Sequence, residues 1–291
     1  MSARLLLPRR ALLRAGAALL AAPAIVGRAR AARSGFSTSN YLTLGAAPAG
    51  AAPLTLFGWY KTSAAGANQM ILNVSDTTKV DGNTCMCLRV NASNQVGIFE
   101  ADGTTTATVA CTPTITASAW QTAMGQFIGL SSRACLMNGG SKATNATTLV
   151  AGSTKNNTSI GVRVSSGAPT QNFQGTLGEI AVWKSVRSDF EAAALAGGVP
   201  AYTIAWPDLV AYVPLWGITS PEADLAALAH VWTITGSLSK ADNPPMTFPH
   251  RRRSALMGDA LLAFLETKDK LSAAARAHDA ACHRAFYGVA A

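Results

Sequence analysis

The sequence predicts an all-β protein built as a two-sheet antiparallel sandwich over residues 34–249. Three observations predict it. From Ser34 to about Thr170, short apolar or alternating runs recur, and none of them keeps a helical period. Gly, Asn, Asp, Ser and Thr divide these runs at close intervals, as turns between short strands require. Forty-nine per cent of the residues are hydrophobic and 13% charged, which is ample material for a core and too apolar for a disordered chain.

The 291-residue chain opens with a segment, residues 1–31, that reads as a targeting signal. Arg4, Arg9 and Arg10 precede an apolar stretch from Ala15 to Val26, and Ala29-Arg30-Ala31 supplies the small-x-small pattern of a signal-peptidase site. The stretch is shorter than the roughly 20 residues that cross a bilayer, so no stable membrane span is expected once the signal is gone. Arg9-Arg10 followed by Ala11-Leu12-Leu13 resembles a twin-arginine signal, which implies a bacterial protein exported in folded form to the periplasm or the cell exterior.

The predicted strands follow in order at Tyr41–Leu44, Leu54–Tyr60, Met70–Val74, Cys85–Val90, Val96–Glu100, Thr104–Val109, Trp120–Ile128, Ala134–Met137 and Ser159–Val164. Val, Ile, Thr and Trp in these runs fit a pleated surface. Asn91 to Asn94 reads as a turn, and Asn138-Gly139 as a two-residue hairpin turn with both residues at positive φ. Phe173–Trp183 is a strand entered through a glycine-relieved bend. Ser188 then caps a short helix over Asp189–Ala196, with Glu191 completing a capping box and Gly197-Gly198 ending it. Two more strands are expected at Leu209–Pro214 and Val231–Thr235. After Pro249 the character changes. Residues 250–291 are rich in Ala, Leu, Lys, Arg and Glu, and Met257, Leu261, Phe264, Leu271, Ala275 and Cys282 make a broken apolar stripe. That predicts a C-terminal α-helical extension, with self-association through it as one use.

In order and spacing these motifs resemble the laminin G-like, concanavalin A-like jelly-roll family. The resemblance rests most on Phe173, Gly175, Leu177, Glu179, Ile180, Val182 and Trp183, then on Ser188, Glu191, Leu195 and Gly198 of the helix. Ala119-Trp120, Arg133–Gly139, Ser159-Ile160-Gly161 and Val210–Gly217 extend it. Asp224, Gly236 and Asn243-Pro244-Pro245 resemble the downstream segment of bacterial and phage members. The resemblance covers about residues 36–249 and implies the jelly-roll fold. It does not select a function, because the family holds carbohydrate binders, adhesion modules, virion proteins and some hydrolases.

Charge excludes one class. Residues 1–31 carry six arginines and no acid, residues 251–291 seven basic and four acidic groups, and residues 32–250 eleven of each. The sandwich is therefore neutral, whereas a nucleic-acid reader concentrates basic residues on a folded face. No catalytic residues are assigned. No E-x-D-x-x-E array is present, and none of the four histidines precedes His230, so a Ser-His-Asp triad within most of the sandwich is not expected. Cys85, Cys87, Cys111 and Cys135 read as buried thiols, with a Cys111–Cys135 bridge as the alternative in an oxidising compartment.

The candidate ligand-binding residues are Tyr60, Asp76 and Asp81. Tyr60 is adjacent to Trp59 on a strand, so one of the two rings should face outward. The resemblance implies Ca²⁺ bound by loop carboxylates, for which Asp76, Asp81 and Asp102 are the candidates. The expected function is a non-catalytic, exported module that binds carbohydrate or another cell-surface ligand. The alternative is a structural, virion-associated surface protein, and a glycoside hydrolase is the third reading.

Overall fold

A computed structural model describes residues 32–62, 66–79, 84–150, 154–165, 168–216, 221–226, 228 and 230–247. The expected signal over residues 1–31, Asp81, and the helical tail over 250–291 with its self-association lie outside the described residues. In chain order the strands begin with β1 (Ala32–Ser34), β2 (Tyr41–Leu44), β3 (Leu54–Thr62), β4 (Gln69–Ser75), β5 (Thr84–Val90) and β6 (Gln95–Asp102). They continue with β7 (Thr106–Thr114), β8 (Gln121–Gly129), β9 (Ser132–Met137), β10 (Ser141–Asn145), β11 (Asn157–Ile160) and β12 (Arg163–Ser165). After these come β13 (Ala168–Thr170), β14 (Gly175–Trp183), helix α1 (Asp189–Ala196), β15 (Leu209–Val213), β16 (Glu222–Ala223), β17 (Val231–Thr235) and β18 (Ser239–Ala241).

These strands build two antiparallel sheets. The first runs β10-β9-β8-β3-β14-β1-β18, with β15 also paired to β14, and the second runs β16-β17-β2-β11-β4-β5-β6-β7. β12 and β13 form a separate hairpin. Leu56, Tyr60, Phe127, Leu177 and Val213 of the first sheet meet Leu72, Val74, Leu88, Ile98 and Trp232 of the second in one core. A second apolar layer lies on the far side of the first sheet. There Phe57, Trp59, Trp183 and Tyr212 pack under Ala192 and Leu195 of α1 and under Ala201 and Ile204. Burial on both faces explains why β3 shows an almost unbroken buried run rather than alternation.

The predicted helix has the predicted ends. Ser188 Oγ accepts from the Glu191 N–H, Glu191 Oε2 accepts from the Ser188 N–H, and Gly197 closes the helix. The hairpin after β9 is longer than its sequence suggests. Asn138 and Gly139 both take positive φ, but Ser141 opposes Met137, so the loop holds three residues rather than two. The single strand predicted over Ser159–Val164 is two strands. Gly161 has φ of +78°, and a Cβ there would sit 2.1 Å from the Phe36 ring, so the chain turns at this point and starts β12.

Candidate ligand-binding cleft

At one end of the sandwich, where β5 starts and β6 ends, lies a cleft of about 450 Å³. Its apolar wall is Met86, Leu130, Leu149 and Val150, and its charged groups are Glu100, Asp102 and Lys155. Leu130 and Val150 are 51% and 60% exposed, and they form the rim.

The charged groups are positioned in different ways. Glu100 and Asp102 are two residues apart on β6 and share a face. Glu100 is buried and accepts from Arg133 Nε of β9 at 2.7 Å, a link between the two sheets. Burial pushes the Glu100 carboxyl up, against the pull of Arg133. Arg133 spends its remaining donors on Asn145 Oδ1 and on the Thr147 and Leu130 carbonyls. Asp102 organises the loops around it. Its Oδ1 accepts from the Thr104 and Thr105 N–H groups and the Thr104 hydroxyl, and its Oδ2 accepts from the Val150 N–H. Burial acts against ionisation as the largest single influence, yet those hydrogen bonds together outweigh it and hold the carboxyl at about 2.

Lys155 differs from both. It is 9% exposed, and among the described residues its ammonium makes no hydrogen bond or ion pair. Burial pulls its pKa down, while the charges of Glu100 and Asp76 support the cation from a distance. An ammonium that ends a largely buried side chain at the wall of a cleft, with no protein partner, has all three donors to offer a ligand.

Three of the predicted site residues can be placed. Tyr60 is a correction: it is fully buried, edge-on to Phe173 in the inter-sheet core, and offers no face to a sugar. Trp59 is buried as well, because the opposite face of the sheet is covered. Asp76 is 4% exposed and acts as a turn acid, with Oδ1 accepting from the Thr78 N–H and hydroxyl. Asp76 and Asp102 lie at the same end of the second sheet, because Thr84 of β5 opposes Asp102 and accepts from the Asp76 N–H. Two strand spacings of about 4.8 Å therefore separate them, and each carboxylate accepts hydrogen bonds within its own loop. No group of three metal-ligating side chains occurs among the described residues. Lys155 escaped the sequence reading, since a lone lysine in a polar loop carries no mark of its burial.

The four described cysteines are free thiols. Cys85 and Cys87 share the outer face of the second sheet, as their spacing predicts. Cys111 and Cys135 meet across the two sheets with their sulfurs 3.2 Å apart.

Comparison with known proteins bears on the fold. Among curated proteins the chain has no match. A Bacteroides ovatus structure described as a candidate carbohydrate binding protein is similar, with a TM-score of 0.55 at 14% identity, over 75% of this chain and 61% of that one. A heptameric SAP-like pentraxin from Limulus polyphemus gives a TM-score of 0.52 at 12% identity, over 75% of this chain and 97% of that one. The CBM40 of a Ruminococcus gnavus sialidase, bound to sialyllactose, gives 0.46 at 22% identity, over 52% and 85%. Residues 36–193, more than half of the chain, match the concanavalin A-like lectin/glucanases superfamily, and the chain belongs to that family.

Proposed function

We propose that the protein is an exported, non-catalytic module that binds carbohydrate, or another hydroxylated cell-surface ligand, in the end cleft. The observation that carries this reading is the unbonded Lys155 ammonium at the cleft wall. A sugar supplies what the cleft lacks. Its hydroxyls can accept from Lys155 and donate to the spare lone pairs of Glu100 and Asp102, and its C–H faces can rest on Met86, Leu130 and Val150. Glu100 and Asp102 balance Lys155 and Arg133 in sign, so a neutral polyol fits better than a strongly charged ligand. The likeness in fold to a Bacteroides ovatus structure described as carbohydrate binding supports the same class. Export rests on residues 1–31 alone.

A second reading rests on one observation. Glu100 and Asp102 line the same cleft with their carboxyls pushed in opposite directions, up and down, the pattern of an acid and its partner carboxylate in a glycosidase. Against it, Glu100 is tied to Arg133, and Asp102 already accepts four hydrogen bonds. The test is a glycan-array screen of the full chain, with and without Ca²⁺, followed by product analysis on every glycan bound. The expected result is selective binding, lost in Lys155→Met, with no product. Turnover abolished by Glu100→Gln would replace binding by hydrolysis. An empty array would defeat the proposal and leave the structural, virion-associated reading.

A further inference from the structure

The outer face of the second sheet carries a feature remote from the inter-sheet core. Along β5, Met86, Leu88 and Val90 enter the core, while Cys85, Cys87 and Arg89 project from the opposite face. The Arg89 guanidinium lies 5.0 Å from the centre of the Phe99 ring, and that of Arg163, from the β12–β13 hairpin, lies 5.3 Å from the same ring. Phe99 is the diagonal neighbour of Arg89 on β6. Directly opposite Arg89 stands Gly97, which has no side chain to fill the intervening space.

A guanidinium carries five N–H donors. Among the described residues no hydrogen bond or ion pair engages those of Arg89, and its Nε is buried without a partner. The side chain is half-buried and sits beside a second cation. Among the described residues, the titratable groups that bear on it are Cys87, Arg163 and Cys85, none of them a carboxylate. Two buried arginines contrast with it: Arg33 is paired with Glu222 and Arg133 with Glu100. The Nη groups of Arg89 are not enclosed, so its guanidinium fork stands open beside a second guanidinium and without a described carboxylate partner.

We infer that Arg89, mounted on Phe99 beside Arg163, forms an anion-binding site for the acidic group of a glycan, either a sugar carboxylate or a sulfate ester. The fork of N–H groups on Arg89 matches the two oxygens of either group in a bidentate contact. The glycan half of this assignment rests on the binding reading above. The anion half stands on the Arg89 geometry alone. The site is distinct from the cleft, so a neutral polyol in one and an acidic group in the other are separable events.

The test uses the full chain, titrated with oligogalacturonate (carboxylated), a heparin oligosaccharide (sulfated) and a neutral xylo-oligosaccharide, at low salt and at 0.5 M salt. At least one acidic probe should bind tenfold or more tighter than the neutral one, with affinity falling as salt rises. Arg89→Gln should weaken that binding at least tenfold and Arg89→Lys less, because lysine keeps the charge but not the fork. Lys184→Gln, which removes an exposed charge elsewhere, should leave it unchanged. Thermal stability of Arg89→Gln should equal or exceed that of the parent; a purely structural arginine would show a loss. The carboxylate and sulfate arms decide which group the site takes. Failure of both acidic probes, or equal acidic binding by Arg89→Gln and the parent, would overturn the inference. Neutral binding that survives such a failure would leave the cleft reading intact.

Discussion

At the residue scale, burial and bonding separate side chains that look alike in the sequence. Tyr60 and Lys155 are both buried side chains whose polar ends lack hydrogen-bond partners, but the Tyr60 hydroxyl is enclosed while Lys155 lines a cleft. Burial pushes the Tyr60 phenol up. Tyr60→Phe removes an unsatisfied group at constant shape, so it should be neutral or stabilising by about 1 kcal/mol, with ligand binding unchanged. A loss of binding on chemical denaturation-matched samples would return Tyr60 to the site. Lys155 gives a pH signature. Its folded-state pKa is lowered by burial, so between that value and the unfolded value of about 10.4 the unfolded chain holds more protons. Stability must therefore rise with pH across that window. Lys155→Met should be more stable than the parent at pH 7, with the gap closing by about pH 10; melting temperatures across this range check it. A constant gap would mean that the cation is not strained in the folded state.

At the element scale, the legible features were those with local causes. The helix was readable to the residue, because Ser188, Glu191 and Gly197-Gly198 each act within one turn. Strands β2 and β17 were equally plain, whereas β1, β16 and β18 hold three residues or fewer, too short to show a period. The break at Gly161 depends on the Phe36 ring 125 positions earlier in the chain, and the burial of Trp59 depends on the distant segment around α1. Asp76 and Asp102 were legible as turn acids, but their hydrogen bonds to nearby loops were not, and neither was the empty donor set of Arg89. One link between elements is directly testable. Arg133 of β9 and Glu100 of β6 tie the two sheets through a pair buried on both sides. Arg133→Met should cost about 3–5 kcal/mol, because it strands Glu100 and three backbone or amide acceptors. Arg133→Met with Glu100→Met should recover a large part of that loss. Urea unfolding of the four members of the cycle measures it, and additive losses would show that the pair does not act as a unit.

At the scale of the whole molecule, residues 32–250 carry eleven basic and eleven acidic residues, and two of the described ion pairs are buried ties between remote segments. The longer of these joins the first described residues to the last third of the chain. β1 lies between β14 and β18, and Arg33 donates through Nε and Nη2 to Glu222 of β16 at 3.0 and 2.6 Å. Nη1 of Arg33 adds a bond to the Leu238 carbonyl. The targeting signal proposed for residues 1–31 would end at Ala31, immediately before this strand, so where such a signal were cleaved would bear on the sandwich itself. A chain beginning at Gly35 would lose both β1 pairings and leave Glu222, 3% exposed, without its cation. It should be less stable than the chain beginning at Met1 by about 3–5 kcal/mol, and Arg33→Ala in the full chain should reproduce most of that loss. Equilibrium urea unfolding measures both. An unchanged midpoint for the chain beginning at Gly35 would mean that the sheet closes without β1, and that Arg33 belongs with the leader rather than with the fold.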